Sequence, residues 1–462
     1  MNNRRQFLKH SLALPAMLGS GSLLGSLAGL NAHAADTSGY RALVCVFLFG
    51  GMDCHDTVLP FDTASYDDYA DIRANLLAGY AALPGVSSRS RNALLPLEPA
   101  SAGFGGRQFA LPPQMSALHQ LFEQGRAAVV GNVGPLAEPT NRAAFTGNAS
   151  AVPARLFSHN DQQSTWMSFA PEGAPFGWGG RFGDAVGSAN AESVFSQISL
   201  FGNSIFLTGD TVSPFQISAD GVPSIRVIDQ APGQVSTLLR DHFASQGSNR
   251  DNLFERDFIG ISRTSLDAND LLDAALQSGN ALSTQFPGSF LGAQLRAVAQ
   301  TIAVREQLGA RRQVFFVGLG GFDTHSTQAA ELPGLQQEVS DAVAAFYRAT
   351  EELGVEQSVT TFTAADFGRT LTVNGDGTDH GWGGHHFVVG GAVRGGDIYG
   401  DIPVSQLGHD QDAGNGRLIP TTSVEQFAAP LGRWFGLNNQ ELAAALPGLG
   451  NFPAGPLDFL QV

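Results

Sequence analysis

Three stretches of the chain are apolar almost without interruption and end in glycine: Arg41 to Gly50 (RALVCVFLFG), Ala127 to Gly134 and Val314 to Leu319. Such a run has no polar face, so it predicts a strand buried on both sides. Two further strand-like runs, Ser358 to Thr363 and Phe387 to Gly391, flank a loop rich in glycine and aspartate. Elsewhere the apolar period becomes helical. Pro113 to Glu123 aligns Met115, Leu118, Leu121 and Phe122, and Leu291 to Leu308 aligns Leu295, Val298 and Ile302. Phe258 to Leu276 and the amphipathic Leu335 to Leu353 read as helices too. Ser423 to Phe435 opens with a capping box, Ser423 and Gln426, and carries Pro430, which predicts a kink. Strand–helix–strand order predicts a large α/β sandwich, a mostly parallel central sheet with helices on both faces. Residues 61–110 read as mixed loop and short helix, and 155–183 are aromatic and glycine-rich. The short β-like runs Ile198 to Leu200, Ser204 to Leu207 and Ser224 to Val227 predict a β-rich inserted subdomain, with 185–290 as the insert or cap.

The amino terminus departs from this pattern. Arg4 and Arg5 precede Phe7-Leu8-Lys9, a mildly apolar Gly/Ser-rich run follows, and Ala32-His33-Ala34 closes it. This predicts a twin-arginine export signal over residues 1–34, cleaved after an A-x-A site. Its apolar run is too broken by glycine, serine and proline for a spanning helix. The expected location is therefore periplasmic or secreted, with the twin-arginine translocation machinery as a partner and no stable membrane span after cleavage. The expected mature domain is 35–462.

With 462 residues, 43% hydrophobic and 15% charged, the chain can bury a large core, and its 56 glycines and 23 prolines predict many tight turns. Without the first 34 residues, 23 basic residues face 42 acidic ones, a net charge of −19. Such a surface repels nucleic acid and anionic membranes. The one lysine, Lys9, lies in the signal, so Schiff-base chemistry and a Walker-type phosphate loop are excluded from the mature domain. Cys45 and Cys54 form no zinc pattern. A disulfide between them is disfavoured, because a strand interior and its own exit loop rarely converge.

Carboxylates and imidazoles collect at the strand ends. Asp53, His55 and Asp56 follow the first strand, Asp323 and His325 follow Val314 to Leu319, and Asp366 follows Ser358 to Thr363. Asp379, His380, His385 and His386 crowd together before the last strand. Ligands of open α/β sheets bind beyond the carboxyl ends of the strands, and this mix of oxygen and nitrogen donors suits a divalent ion. The expected metal ligands are Asp53, Asp323, His325, Asp366, His380, His385 and His386. Adjacent residues on a strand face opposite ways, so at most one of His385 and His386 is expected at the ion. Arg369, three residues after Asp366, is placed to clamp an oxyanion or to pair with Asp366. Ser158 and His159, in a segment with Ser164 and Thr165, are candidate catalytic groups, although neighbours in sequence do not by themselves make a triad.

The twin-arginine start, the GGMD…TVLP turn, LFSHNDQQSTW, GLGGFDTH and DFGRT…DHGWGGHHFVVGGAVRGG together resemble the secreted bacterial family named domain of unknown function 1501. The resemblance covers nearly the whole chain. It implies an alkaline-phosphatase-like three-layer sandwich, similar to sulfatases and cofactor-independent phosphoglycerate mutases. In that superfamily, aspartates and histidines at strand ends hold one or two divalent metals, and a Ser or Thr attacks a phosphate or sulfate ester. By position, Asp53 matches the first-strand metal aspartate, Asp323 and His325 the later pair, and Asp366 the carboxylate after the next strand. Phe367 stands where phosphatases carry a second histidine ligand. The expectation is an exported hydrolase of phosphate or sulfate esters, on a small-molecule or polymer substrate, using zinc, manganese, magnesium or calcium. The alternative is a non-catalytic periplasmic binding or assembly protein that keeps the fold.

Overall fold

The computed structural model describes residues 35–462 apart from 84–87, 102, 220, 222–231, 245–251, 454, 456 and 462. The expected signal segment, and the Ser224 to Val227 run, lie outside the described residues.

The central sheet uses β1 (Arg41–Leu48), β2 (Ala127–Gly134), β3 (Gln197–Ser199), β4 (Phe215–Gln216), β5 (Arg312–Leu319), β6 (Val359–Ala365), β7 (Gly384–Val389), β8 (Ile398–Gly400) and β9 (Thr422–Ser423). The order across it is β8-β2-β7-β6-β1-β5-β3-β4, with β9 also on β2. Neighbours run parallel throughout except at β7, which is antiparallel to both β2 and β6. The start of β7 therefore lies at the edge where β2 and β6 end.

Both faces are covered, which is why the strands carry no polar stripe. On one side Val44, Val46 and Leu48 pack with Leu295, Val298 and Ile302 of helix Phe290–Ala303 and with Val339, Val343 and Phe346 of helix Gln328–Glu352. On the other, Leu43, Cys45 and Phe47 pack with Trp178, Phe182, Phe427 and Trp434. Successive residues of one strand thus feed two separate cores. The capping box on helix Val424–Phe435 forms as expected, and Pro430 lies inside that helix.

Some expectations take another form. Helix Gln328–Glu352 starts earlier than its apolar period suggests and runs through Pro333. The aromatic, glycine-rich segment 155–183 contains helices His159–Ser168 and Trp178–Val186. The first reads HNDQQSTWMS, mostly polar yet buried from Ser164 to Ser168, so it offers no apolar period to detect. The β-rich subdomain expected over 185–290 is corrected as well. Its described strands, Gln197–Ser199 and Phe215–Gln216, extend the main sheet beyond β5, Ile205–Leu207 is a 3-10 turn and Gly233–Ala244 is a helix, while the helix expected over Phe258 to Leu276 is present within Leu253–Ser278. Both cysteines are free and buried.

Candidate metal centre

The carboxyl ends of β1, β5 and β6 lie side by side, in register from Leu48 to Leu319 and to Ala365. Each chain then turns through glycine or directly into a carboxylate. Gly50 and Gly51 adopt φ of +113° and +88°. A Cβ on Gly50 would stand 2.3 Å from the Asp323 nitrogen, and one on Gly51 would stand 2.4 Å from the Phe367 ring. Only glycine permits these crossings, and through them the loops carrying Asp323 and Asp366 close together.

Three imidazoles converge on Asp323. His159 Nε2 is 3.4 Å from Asp323 Oδ2, and His380 Nε2 is 3.1 Å from Asp323 Oδ1. His325 Nε2 lies 3.2 Å from Asp323 Oδ1 and 2.9 Å from His380 Nε2. Each ring is held through its other nitrogen. His159 Nδ1 donates to Asp366 Oδ2 at 2.6 Å, His380 Nδ1 to the Phe157 carbonyl at 2.7 Å, and His325 Nδ1 to Asp379 Oδ1 at 3.2 Å. Those partners accept only, so in the neutral rings every Nε2 presents a lone pair. Three lone pairs and a carboxylate facing one another repel unless a proton or a metal ion lies among them. One ligand atom from each of His159, Asp323 and His380 fits within a 4.8 Å separation. Ligand atoms about 2.0–2.1 Å from a tetrahedral zinc stand about 3.3 Å apart, close to the separations found here.

The surroundings fix this arrangement. Arg369 opens one strand of a hairpin, Arg369–Val373 with Thr378–His380, and pairs directly across from His380. Its buried guanidinium donates to Asp323 Oδ1 at 2.7 Å and to the Gly50 carbonyl at 3.0 Å. Burial opposes ionisation of Asp323, but the Arg369 hydrogen bond and charge hold its carboxyl below the usual range. The Asp366 hydrogen bond pulls the His159 pKa up against the effect of burial, whereas burial pushes His380 down. Gln163, one helical turn after His159, donates to the same Asp366 oxygen at 2.9 Å, while the buried Asp366 Oδ1 has no partner among the described residues. Phe157 supplies its carbonyl from φ +70°, a costly conformation for an aromatic residue. Phe367 packs against both His159 and His380, with ring centroids 4.9 and 4.6 Å apart.

Of the expected ligands, Asp323, His325 and His380 meet at this point and Asp366 supports it from behind. Asp53 does not join them. Its carboxylate is buried and bound by Arg73 at 2.6 and 3.0 Å and by Gln328 at 2.6 Å. His385 and His386 are also corrected. They face different surroundings, as strand alternation predicts, but both are buried away from Asp323. His385 Nδ1 accepts from the Asn132 amide at 3.0 Å, and His386 packs on Trp166 with one weak contact to Thr363 Oγ1 at 3.4 Å. Burial takes both imidazoles down to about 3. His55 is likewise buried, hydrogen-bonded to the Gly416 carbonyl. Ser158 caps the helix that begins at His159 and donates to Asp161 at 3.0 Å, so its hydroxyl is engaged elsewhere. Arg369 is spent on Asp323 and the hairpin rather than open to an oxyanion. Sequence reasoning gave His159 a catalytic part and missed its place beside Asp323. It also missed Gln163, for which the i, i+4 spacing from His159 was the available signal.

These features define a mixed α/β protein with a histidine–aspartate cluster at the carboxyl edge of a mostly parallel sheet. The chain belongs to the family described as "Protein of unknown function (DUF1501)", whose model matches residues 40–449. No curated protein matches it. Among solved structures it is similar to "Crystal structure of Ps i-CgsB in complex with k-i-k-neocarrahexaose", at 9% identity over 90% of this chain and 77% of that one, with a TM-score of 0.34.

Proposed function

We propose that this protein is an exported, metal-dependent hydrolase of phosphate or sulfate esters, with an alkaline-phosphatase-like three-layer fold. One observation carries the reading: three imidazoles, each with its tautomer set by an acceptor at Nδ1, turn their Nε2 atoms onto one carboxylate. The residues fit a divalent ion. His159, His325, His380 and Asp323 would hold it, with Asp366 and Asp379 orienting two of the rings. A donor set rich in imidazole suits zinc better than magnesium or calcium. When bound, such an ion supplies a Lewis acid and a water of lowered pKa. The exposed edge beside Asp323 receives the ester, Arg369 keeps Asp323 ionised, and neither Ser158 nor Arg369 acts on the substrate. The twin-arginine pattern supports a periplasmic or secreted location, and export in the folded state suits a metal site filled beforehand.

A second reading has its own support. Phe367 packs against both His159 and His380, where a further metal-binding side chain would otherwise stand, and no hydroxyl side chain is hydrogen-bonded to Asp323, His159, His325 or His380 among the described residues. A binding or assembly protein that keeps a structural metal would look the same.

Metal analysis of protein folded in cells, followed by nitrophenyl phosphate, phosphodiester and sulfate assays, separates the two. Bound zinc together with turnover lost on chelation or in His325→Ala supports the hydrolase. Bound metal with silence across the panel supports the binding protein, and protein folded without any divalent ion refutes the metal centre.

A further inference from the structure

Next to the helix that carries His159 lies an open cavity of about 460 Å³. That is within the range of small-molecule sites. It is joined to the candidate centre by short covalent and hydrogen-bonded links. Asn160 follows His159 in the chain, Gln163 donates to the Asp366 oxygen that orients His159, and Phe49 immediately precedes Gly50. All three line the cavity.

The cavity has an aromatic platform. Phe49 and Phe201 are half-buried and stack at 4.9 Å between centroids with 22° between planes. Gly318 makes room for them, since a Cβ there would stand 2.8 Å from atoms of both rings. Around the platform the neutral polar groups are the amides of Asn160, Gln163 and Asn203 and the hydroxyls of Ser164 and Ser204. Asn160 is exposed and its side chain has no partner among the described residues. Asn203 is held through its carbonyl by the Gln216 amide, which leaves its own nitrogen free to donate. Glu172 is the one ionisable side chain in the lining, and no arginine, lysine or histidine is present.

An anionic body gains nothing here and meets Glu172. A purely apolar one leaves the amides unsatisfied. A ring with an apolar face and hydroxyls at its rim satisfies both surfaces, as aromatic side chains combined with amides do for neutral hydroxylated rings. We propose that this cavity binds a neutral saccharide unit, the uncharged body of the ester whose anionic group is received at Asp323. The placement of the ester rests on the hydrolase reading, but binding of the sugar does not.

The test is calorimetric titration of the mature, metal-replete protein with cellotriose, maltotriose, xylotriose and mannotriose, with indole as an apolar control. At least one trisaccharide binds, and Phe201→Ala weakens it roughly tenfold or more, the cost of removing a central aromatic anchor. Asn160→Ala, an exposed change that leaves folding intact, weakens it too. Affinity persists in His325→Ala, which removes a metal ligand but leaves the cavity. Sugar binding without ester turnover keeps this proposal while refuting the hydrolase. Turnover of small esters with no trisaccharide bound refutes the saccharide site, as does binding of indole alone or an affinity unchanged in Phe201→Ala.

Discussion

His386 ties the acid stability of the fold to one buried ring. It is 2% exposed, packs on Trp166 and Phe427, and has one polar contact, to Thr363. Burial lowers its pKa from 6.5 to about 3, so the folded protein keeps it neutral down to that pH. The unfolded chain binds a proton there as soon as pH falls below 6.5. Stability from this group is therefore complete above pH 6.5 and is lost as pH falls towards 3. At pH 5, about 1.5 units below the unfolded pKa, the loss is about 2 kcal/mol at 1.36 kcal/mol per unit. His386→Phe keeps an aromatic ring of similar shape between Trp166 and Phe427 and removes the titration. Urea unfolding of the chelator-stripped proteins at pH 7 and pH 5, followed by tryptophan fluorescence, isolates the term, because His55 and His385 remain in both. The wild type should lose about 2 kcal/mol more than the variant over this interval. Equal losses would refute the argument that burial keeps this imidazole neutral. The variant should also retain its full metal complement, since His386 lies away from Asp323.

Two further perturbations probe the site and its support. Asp366→Asn weakens the hold on His159 Nδ1 and should lower zinc affinity about 10- to 100-fold in competition with a chromophoric chelator; unchanged affinity would mean that Asp366 does not orient that ring. Arg73→Met leaves the Asp53 carboxylate buried without its partner and should cost about 3–5 kcal/mol in chemical denaturation, so a loss below about 1 kcal/mol contradicts that account.

The buried pair of Asp53 and Arg73 shows where reading along the chain stops short. Asp53 stands beyond a buried strand in the position of a ligand, and the other role its sequence allows, capping the turn that follows, is the one its side chain takes by accepting from the His55 amide. Arg73 lies 20 residues on, at the junction of helices Thr63–Ile72 and Ala74–Ala82, and only their packing brings its guanidinium to the carboxylate. His385 and His386 were misplaced for a related reason. Strand alternation correctly sends them to different surroundings, but it cannot tell that β7 is fully buried and that both rings end inside the protein.

Local chemistry determined a good deal unaided. Unbroken apolar runs require strands covered on both faces, helical periods supply the covering, and Ser423 with Gln426 fixes a helix start, because each depends on neighbours a few residues apart. The Asp323–His325 pair and His380 were legible as donors for the same reason. Tertiary structure decided what those donors meet. His159 reaches Asp323 from a helix more than 150 residues earlier, Gly50 and Gly51 let the strand exits touch, and the hairpin sets Arg369 opposite His380. Such convergence depends on sheet order and on the single antiparallel strand, which are properties of pairing between distant segments and are written in no one stretch of the chain.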